Sequence, residues 1–343
     1  MRCTSPRTVG FQHDGKTLSW SPKHYSKEYA TFQLPCGKCL HCRLEMAQQT
    51  AIRCVHEAQM YEKNSFVTLT YTDTNLKSEK LVYKDFQDFI KRLRNHIFIG
   101  QLDKMFPNLS EKQQKTLWNQ IPKERRKEIY GSIKISVFAT GEYGETTKRP
   151  HWHSLIFNWR PNDEIHKYSN HRGDQVFSSE ILTRLWSHGI AEVGSVTIDS
   201  AGYCARYAAK KLVHGRDGEH EYEPISKRSA KQGIGKAWIQ KYYNDVFNHG
   251  YVVLPNGTKC AVPRYYVKWL QKHHPEKWKA YVTETKIKLT KEAIDRSEKL
   301  SLAEKKANAK RSGLKGLQIR RNTVRKKILE AKYKKLQDQL KLK

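Results

Sequence analysis

His151 and His153 stand two positions apart at the start of the apolar run 150–157. Because alternate residues of a β-strand point to the same face, a strand here would aim both imidazoles at one point. Imidazole nitrogens are common ligands of divalent metal ions. Alternating histidines also occur on ordinary exposed strands, so the pair alone predicts a metal site only weakly.

Glu142 precedes the histidine pair by a short segment and is the candidate third ligand. In a β-hairpin its carboxylate reaches the same ion as His151 and His153. A turn carboxylate without a ligand role is the alternative, and Glu145 competes for the position. Two imidazoles and one carboxylate leave coordination positions open for phosphate oxygens and water, as a catalytic metal site requires. With a phosphate substrate, Mg²⁺ or Mn²⁺ is the expected ion.

Tyr203 and Tyr207 lie one turn apart on a predicted helix that Asp199 caps. Lys210 and Lys211 follow on the next turn, where their charges suit phosphate. Two aromatic side chains that pack against a sheet are the structural alternative. The chemical alternative is nucleophilic, because a tyrosine oxygen can attack phosphorus and form an ester. Such an ester conserves the bond energy, so a hydroxyl can later rejoin the strand without ATP.

The composition indicates a partner that carries negative charge. The 343 residues include 64 Lys and Arg against 34 Asp and Glu, a net charge of +30, which predicts nucleic acid before an anionic membrane surface. The sequence has no apolar run long enough for a transmembrane helix and no apolar core of a secretory signal at its N-terminus. We therefore expect a cytosolic protein without a membrane partner, whose cysteines are reduced or metal-bound.

Cys36, Cys39 and Cys42 form a tight cluster, and Cys3 can add a fourth thiolate from the N-terminal arm. Four sulfur ligands are typical of a structural Zn²⁺ site. A group of reduced thiols near a turn is the alternative, and His41 is a less favourable ligand because it lies between two of the cysteines. The remaining cysteines are expected to be ordinary and buried: Cys54, Cys204 and Cys260.

Hydrophobic periodicity predicts an α+β fold, in which helices flank a central antiparallel sheet. Residues 100–130 are polar and helix-prone, which indicates a surface insertion. A hairpin joins the second and third strands through the basic turn that holds Lys148 and Arg149. The expected strands are 66–71, 133–139, 151–159 and 189–198, and the expected helices are 43–62, 83–96, 178–188 and the tyrosine-bearing helix after 199.

The chain is divided here into a Cys-rich segment with a helix over 1–62, a core over 63–284 and a basic helical tail over 285–343. The tail holds 20 Lys and Arg against 6 Asp and Glu, a net charge of +14. One or two exposed helices are expected there, broken near Gly313 and Gly316. The tail is either a solvated appendage or a DNA clamp without sequence preference, and the two descriptions are compatible.

Several motifs in a fixed order carry a family resemblance. Those around the histidines and tyrosines resemble the HUH endonuclease superfamily, and the full set resembles the rolling-circle replication initiators of the Microviridae, in particular the gokushovirus branch. Arg206 departs from the family pattern, where lysine is usual, and its planar fork holds phosphate differently while it keeps the charge. The matching motifs, within about residues 35–270, are Pro35-Cys36-Gly37-Lys38-Cys39-x-x-Cys42-Arg43, Phe66-Val67-Thr68-Leu69-Thr70-Tyr71, Phe89-x-Lys91-Arg92-Leu93-Arg94, Gly141-Glu142-Tyr143-Gly144, Arg149-Pro150-His151-Trp152-His153, Tyr203-x-x-x-Tyr207 and Gly233-Ile234-Gly235.

The resemblance implies an HUH or RRM-like fold and an enzyme that nicks and rejoins single-stranded DNA at a replication origin. A tyrosine becomes joined to the 5′ end, and the freed 3′-hydroxyl primes the host DNA polymerase. The site residues it implies are the metal ligands His151, His153 and Glu142, the catalytic residues Tyr203, Tyr207 and Lys210, and the DNA-binding residues Arg206, Lys211, Lys148 and Arg149.

The segment Gly233-Ile234-Gly235-Lys236 lacks the spacing of a nucleotide-binding P-loop, so unwinding would require a host helicase. The resemblance also implies that the protein acts in the host bacterial cytoplasm. Two rival functions remain open. A related relaxase or transposase would share the site, and a zinc-stabilised DNA-binding regulator would use the histidines and tyrosines only for structure.

Overall fold

The computed structural model describes residues 3–144, 147–170, 173–214, 225–229, 233–310 and 321–341; within these, the side chains of 207–214, 321–322 and 336–341 are left undescribed. The chain divides into two compact units. One unit is Gln48–Tyr242, and the other combines Met1–Ala47 with Tyr243–Lys343. The predicted boundaries at 62 and 285 stay predictions.

The helices and strands follow one another along the whole chain. The strands are β1 (Arg7–Phe11), β2 (Leu18–Ser19), β3 (Phe32–Leu34), β4 (Asn64–Thr70), β5 (Ser136–Tyr143), β6 (Pro150–Phe157), β7 (Ile165–Ser169), β8 (Gln175–Ser178), β9 (Ala191–Gly194), β10 (Ile225–Arg228), β11 (Tyr251–Val253) and β12 (Lys259–Ala261). The α-helices are α1 (Leu40–Ala58), α2 (Tyr83–Met105), α3 (Glu111–Gln120), α4 (Lys123–Ser132), α5 (Glu180–Trp186), α6 (Ile198–His214), α7 (Lys236–His249), α8 (Arg264–His273), α9 (Pro275–Ala280), α10 (Ile287–Ala309) and α11 (Arg321–Lys341).

An antiparallel sheet of seven strands forms the centre of the unit Gln48–Tyr242, in the order β10-β5-β6-β4-β9-β8-β7. Helices flank the sheet. The prediction of an α+β fold with a central antiparallel sheet is therefore confirmed, and β5 and β6 form the expected hairpin.

One face of this sheet packs against α2 and α5. Burial of large apolar side chains there stabilises the fold by roughly 1.5–3 kcal/mol each. Gly141 lies opposite Trp152 in the β5–β6 register, and a Cβ atom at position 141 would come within 2.8 Å of the Trp152 ring. This close approach requires glycine. The buried residues of this core include Val67, Leu69, Val137, Ala139, Trp152 and Ile156 from the sheet, with Phe86, Phe89, Leu93, Leu182 and Trp186 from the two helices.

Two of the basic and glycine-rich motifs are structural. Arg92 of α2 donates hydrogen bonds from Nε to the Leu185 carbonyl (2.7 Å) and from Nη2 to the Trp186 carbonyl (2.9 Å), so it caps the C-terminal end of α5. Gly235 has a φ of +79° and donates its backbone N–H to Oε2 of the buried Glu57 at 2.7 Å. The segment around Gly235 is therefore a tight turn that leads into α7.

Several predicted elements have different ends in the structure. Helix α1 begins at Leu40 and α2 continues to Met105, so both extend past their predicted bounds of 43 and 96. The second predicted strand, 133–139, is instead β5, Ser136–Tyr143. The third, 151–159, is β6, and the fourth, 189–198, is only β9. Ser179, within the predicted helix 178–188, is the N-cap residue of α5.

The prediction that Asp199 caps the tyrosine-bearing helix is wrong. Thr197 precedes the first residue of α6, and its Oγ1 accepts a hydrogen bond from the backbone N–H of Ser200 at 3.1 Å. Ser200 Oγ in turn accepts a hydrogen bond from the Thr197 N–H at 2.8 Å. This reciprocal pair has the arrangement of a capping box, and Asp199 lies in the first turn of the helix.

The second unit contains a small three-stranded sheet, β2-β1-β3, and the hairpin β11–β12. Helix α9 continues through a π-helical segment, Tyr281–Lys286, into α10. Two helices, α10 and α11, account for most of the predicted basic tail, and Gly313 and Gly316 lie outside the described residues. Among the described residues, no helix has the length and apolar character needed to span a membrane.

Candidate metal centre and neighbouring tyrosine

The β5–β6 hairpin brings the three predicted metal ligands together. Glu142 of β5 lies directly opposite His151 of β6. His153 lies two residues further along β6, opposite Thr140, so all of these side chains share one face of the sheet. Glu142 is a buried strand residue, which excludes the alternative of a turn carboxylate. Glu145, the competing ligand, lies outside the described residues.

Glu142 Oε1 is the point on which both histidines converge. It lies 3.3 Å from His151 Nε2 and 2.8 Å from His153 Nε2. One ligand atom from each of the three residues lies within 4.8 Å of the other two. Two imidazole nitrogens and a carboxylate oxygen at this spacing are a donor set that can hold a divalent metal ion.

Each histidine is oriented by a hydrogen bond at its other ring nitrogen. His151 Nδ1 lies 3.2 Å from the Arg149 carbonyl oxygen, and His153 Nδ1 lies 3.1 Å from Thr68 Oγ1 of β4. A carbonyl oxygen only accepts, so Nδ1 of His151 carries the proton, and in the neutral ring Nε2 presents its lone pair to the centre. Such outer partners fix the tautomer and the direction of metal-binding imidazoles.

The electrostatics of the site also suit a cation. Burial acts to raise the pKa of the Glu142 carboxyl, but the two neighbouring imidazoles outweigh it and lower the pKa to about 2. Burial lowers the pKa of His151, and the hydrogen bond and charge of Glu142 outweigh this effect and raise it. Glu142 Oε2 is buried and has no hydrogen-bond partner in the structure. Since an unsatisfied buried acceptor costs about 1–3 kcal/mol, the residues present fit a bound metal ion.

Tyr203 of α6 reaches the same point. Its hydroxyl donates a hydrogen bond to Glu142 Oε1 at 3.0 Å and lies 3.3 Å from His153 Nε2. The Tyr203 ring also contacts the His153 ring edge to face, with centroids 4.9 Å apart, and approaches Phe66 of β4. Helix α6 packs against β5, β6 and β10, which holds this tyrosine over the polar end of the sheet face.

The remaining residues of α6 are placed in part. Arg206 is half-buried, and a Cβ atom at Gly202 would lie 3.1 Å from Arg206 Nη1, so the guanidinium folds back along the helix. Tyr207, Lys210 and Lys211 belong to α6, but their side chains lie outside the described residues. Their roles stay predictions.

The basic turn before β6 is divided between two environments. Lys148 is exposed and has a φ of +54°. Arg149 forms an ion pair with Asp73 through Nη1 and donates a hydrogen bond from Nη2 to the Tyr71 carbonyl at 2.9 Å. The Arg149 side chain therefore has protein partners, and its carbonyl orients His151. DNA binding by both residues stays a prediction.

Sequence reasoning missed Thr68 as a residue that positions the site. The signal was present, because Thr68 and Thr70 alternate with the buried Val67 and Leu69 in β4. That alternation places both threonines on the face opposite the core, and the register sets Thr68 beside His153.

The four predicted cysteine ligands also converge in the structure. Cys3 Sγ lies 3.5 Å from Cys36 Sγ and 3.7 Å from Cys39 Sγ, and the four sulfurs, with that of Cys42, lie within 4.8 Å of one another. Sulfurs bound to a tetrahedral zinc ion at about 2.3 Å are separated by roughly 3.8 Å, whereas a disulfide holds them about 2 Å apart. The four cysteines are free thiols at the spacing of a metal site.

Backbone amides support negative charge in this cluster. Cys36 N–H donates to Cys3 Sγ at 3.3 Å, and Cys39 N–H donates to Cys36 Sγ at 3.2 Å. Burial acts to raise the pKa of the Cys39 thiol, but hydrogen bonds from Thr4 and from the Cys42 backbone outweigh it and lower the pKa to about 5. His41 pairs with Glu45 instead of joining the cluster. The remaining cysteines are buried, as predicted: Cys54, Cys204 and Cys260.

Comparisons with known proteins identify the family. A family model for the replication-associated protein ORF2 matches residues 101–212. The chain is 44% identical over 342 residues to the replication-associated protein VP4 of Bdellovibrio phage phiMH2K, covering 100% of both chains. It is 29% identical to the replication-associated protein ORF4 of Chlamydia phage 1, over 73% of this chain and 56% of that relative.

A further relative is the replication-associated protein ORF2 of Spiroplasma virus 4, which is 28% identical over 86% of this chain and 88% of that protein. No solved structure matches the chain. The three relatives all come from viruses of the Microviridae, and the first of them is similar over its entire length. The chain therefore belongs to the replication-associated proteins of the Microviridae.

Proposed function

We propose that this protein initiates replication by nicking single-stranded origin DNA through tyrosine and later rejoining it. The observation that carries the proposal is the 3.0 Å hydrogen bond from the Tyr203 hydroxyl to Glu142, within a buried His–His–Glu cluster. A nucleophile that can form a phosphoester thus lies beside a donor set for a divalent cation. The membership of a replication-associated family supports the same conclusion.

Glu142, His151 and His153 would hold Mg²⁺ or Mn²⁺. When bound, such an ion polarises a phosphoryl oxygen and stabilises the charge that develops on it. The three residues leave positions free for a phosphate oxygen, and the sheet register and the partners of both Nδ1 atoms fix the ligand directions.

The Tyr203 oxygen attacks the scissile phosphorus in this proposal. The bond from phosphorus to Tyr203 Oη forms and the bond to the 3′ oxygen breaks, so the phenol loses one proton and the 3′-hydroxyl gains one. Attack by that hydroxyl on the 5′-phosphotyrosine reverses the step and rejoins the strand. Glu142 accepts the hydrogen bond of the phenol, and with a carboxyl pKa of about 2 it orients Tyr203 more effectively than it removes its proton.

Tyr207 lies one turn after Tyr203 on α6, a spacing that allows a second nucleophile to serve the same site in alternation. We assign Lys210 to the developing charge and Arg206, Lys211, Lys148 and Arg149 to the DNA backbone, of which Arg149 would have to share its guanidinium with Asp73. The proposal includes the HUH superfamily fold, host helicase and polymerase as partners, and action in the host cytoplasm.

A second proposal concerns the cysteine cluster, which we infer to be a structural Zn²⁺ site. The sulfur separations of 3.5 Å and 3.7 Å support it, since they approach the spacing around a tetrahedral ion. Such a site would tie the N-terminal arm, through Cys3, to the start of α1, where Cys42 lies.

The nicking proposal is tested with end-labelled single-stranded circular DNA and Mg²⁺ or Mn²⁺, with a denaturing gel to detect the protein–DNA adduct. We expect wild-type protein to form the adduct, and His151→Ala with His153→Ala to bind DNA without cleaving it. If the tyrosines alternate, Tyr203→Phe or Tyr207→Phe alone leaves some first nicking and blocks circle completion, and the double change removes the adduct.

Phenylalanine keeps the ring, so a purely structural role predicts little effect from either tyrosine variant. Full cleavage by the double histidine variant in the presence of chelator would contradict the metal assignment. DNA binding without any cleavage by the wild-type protein would favour the non-catalytic regulator. An adduct mapped by mass spectrometry to another residue would remove both tyrosines from the mechanism.

A further inference from the structure

The helical insertion between β4 and β5 contains a groove with an unusual lining. Three aromatic rings, from Phe98 of α2, Trp118 of α3 and Tyr130 of α4, pack together with centroids 5.1–5.3 Å apart. The groove beside them has a volume of about 650 Å³. Trp118 is buried, whereas Tyr130 remains 48% exposed although Phe98 stacks on it nearly in parallel. The exposed tyrosine ring is thus backed by a rigid aromatic support.

Positive charge surrounds this exposed ring. Lys115, Lys123, Arg126 and Lys127 line the same groove. Lys115 pairs with Glu111, but the other three form no ion pair with an acid among the residues that the structure describes. Arg126 donates only to the Asn119 side chain, at 3.3 Å. Unpaired cations around an exposed aromatic ring give the groove a charge complementary to a polyanion with planar groups.

We propose that this groove binds single-stranded DNA, with a base stacked on Tyr130 and backbone phosphates held by Lys123, Arg126 and Lys127. Aromatic platforms within a positively charged channel are the features that bind single strands without sequence preference. The proposed function contributes only the choice of single-stranded DNA as occupant. The stacking surface and the charges are properties of the groove itself.

The groove is distinct from the metal centre. Helix α4 leads into β5 at Ser136, and Glu142 lies about 20 Å further along that strand. Asn158 Nδ2 donates hydrogen bonds to the carbonyls of Ser132 (2.7 Å) and Lys134 (3.1 Å), so the connection from α4 to the sheet is held in place. A strand in the groove would therefore lie at a fixed separation from the phosphate that is cut.

The test measures binding of labelled oligothymidylate of roughly 16 nucleotides, and of an abasic strand of equal length, by fluorescence anisotropy in chelator. Tyr130→Ala is expected to weaken oligothymidylate binding by about fivefold or more and to leave abasic binding unchanged, because it removes only stacking. Tyr130→Phe should retain wild-type affinity. The double change Lys123→Ala and Lys127→Ala should weaken both and reduce the salt slope by about 1.4.

Arg125→Ala is the matched control. Arg125 lies on the same helix, is exposed and pairs with Glu128, but it does not line the groove. Equal losses for both strands with Tyr130→Ala, or a loss with Arg125→Ala as large as with the two lysines, would overturn the proposal. Unchanged affinities in every variant would also overturn it and would leave a protein as the occupant to seek. Because the assay excludes the metal and cleavage, its result is independent of whether the protein nicks DNA.

Discussion

At the scale of single residues, Thr68 is the clearest case of a side chain that acts through another. Its hydroxyl lies 3.1 Å from His153 Nδ1, and it makes no contact with Tyr203 or Glu142 in the hydrogen bonds of the site. His153 Nε2 in turn lies within 3.3 Å of both the Glu142 carboxylate and the Tyr203 hydroxyl. The direction of this imidazole therefore depends on a partner on a different strand.

Thr68→Val is expected to weaken Mn²⁺ binding by about 10- to 100-fold, because outer partners of ligating histidines contribute effects of that size. Valine keeps the shape of threonine and removes only the hydroxyl. Isothermal titration with Mn²⁺ measures the change, and Thr68→Ser should restore most of the affinity.

Thr70→Val provides the comparison for this prediction. Thr70 lies on the same strand and face, opposite His151, but its hydroxyl donates to the Ile190 carbonyl at 3.1 Å. If Thr70→Val loses as much affinity as Thr68→Val, or if Thr68→Val binds Mn²⁺ like the wild type, the orienting role of Thr68 is incorrect.

At the scale of elements, alternation along two strands was enough to predict the hairpin, the histidine pair and the core. The end of β5 was not predictable in this way, because Gly141 and Gly144 give the segment the composition of a turn. In the folded protein Gly141 is a strand residue whose missing Cβ leaves room for Trp152. Long-range packing thus decided an assignment that local propensity gave to a loop.

The start of α6 failed for a different reason. Thr197, Asp199 and Ser200 are all suitable capping residues within four positions, and their preferences differ by too little to rank them. The paired hydrogen bonds between Thr197 and Ser200 settle the choice in the structure. The Tyr203–Glu142 contact also lay beyond sequence reasoning, since it depends on how α6 packs on the sheet.

The cysteine cluster belongs to this scale because it joins an arm to a helix. Protein purified without chelator is expected to contain about one zinc per chain by elemental analysis, and Cys39→Ala should reduce this to near zero and lower the melting temperature. Loss of one thiolate leaves a tetrahedral site incomplete.

Cys260→Ala serves as the control, since Cys260 lies in β12 and outside the cluster. It should retain the metal. A wild-type protein without zinc, or equal zinc content in Cys39→Ala, would mean that the four sulfurs are a group of reduced thiols.

At the scale of the whole molecule, the charge of +30 is the property that the sequence predicts most directly, and its distribution has consequences for DNA binding. Residues 285–343 contribute +14. Helix α10 has no buried residue, and many of the described lysines of α11 are exposed. Tyr333 of α11 acts on the charge of Arg43 near the cysteine cluster, so deletion of this helix would remove more than charge.

Charge substitution within α11 is therefore the sharper test of a DNA clamp. Lys327, Lys334 and Lys335 are exposed, and changing all three to Gln removes three charges while retaining residues that favour a helix. If each meets a phosphate, the slope of the logarithm of affinity against the logarithm of salt concentration for single-stranded DNA should fall by about 2. The loss should be equal for strands of different sequence and largest at low salt, because phosphate contacts do not read bases. Anisotropy titrations over a range of salt concentrations measure the slope, and the corresponding Arg variants, which keep the charge, should match the wild type. An unchanged slope in the Gln variant would make this part of the tail a solvated appendage and would leave the sheet face and the insertion as the DNA-binding surfaces.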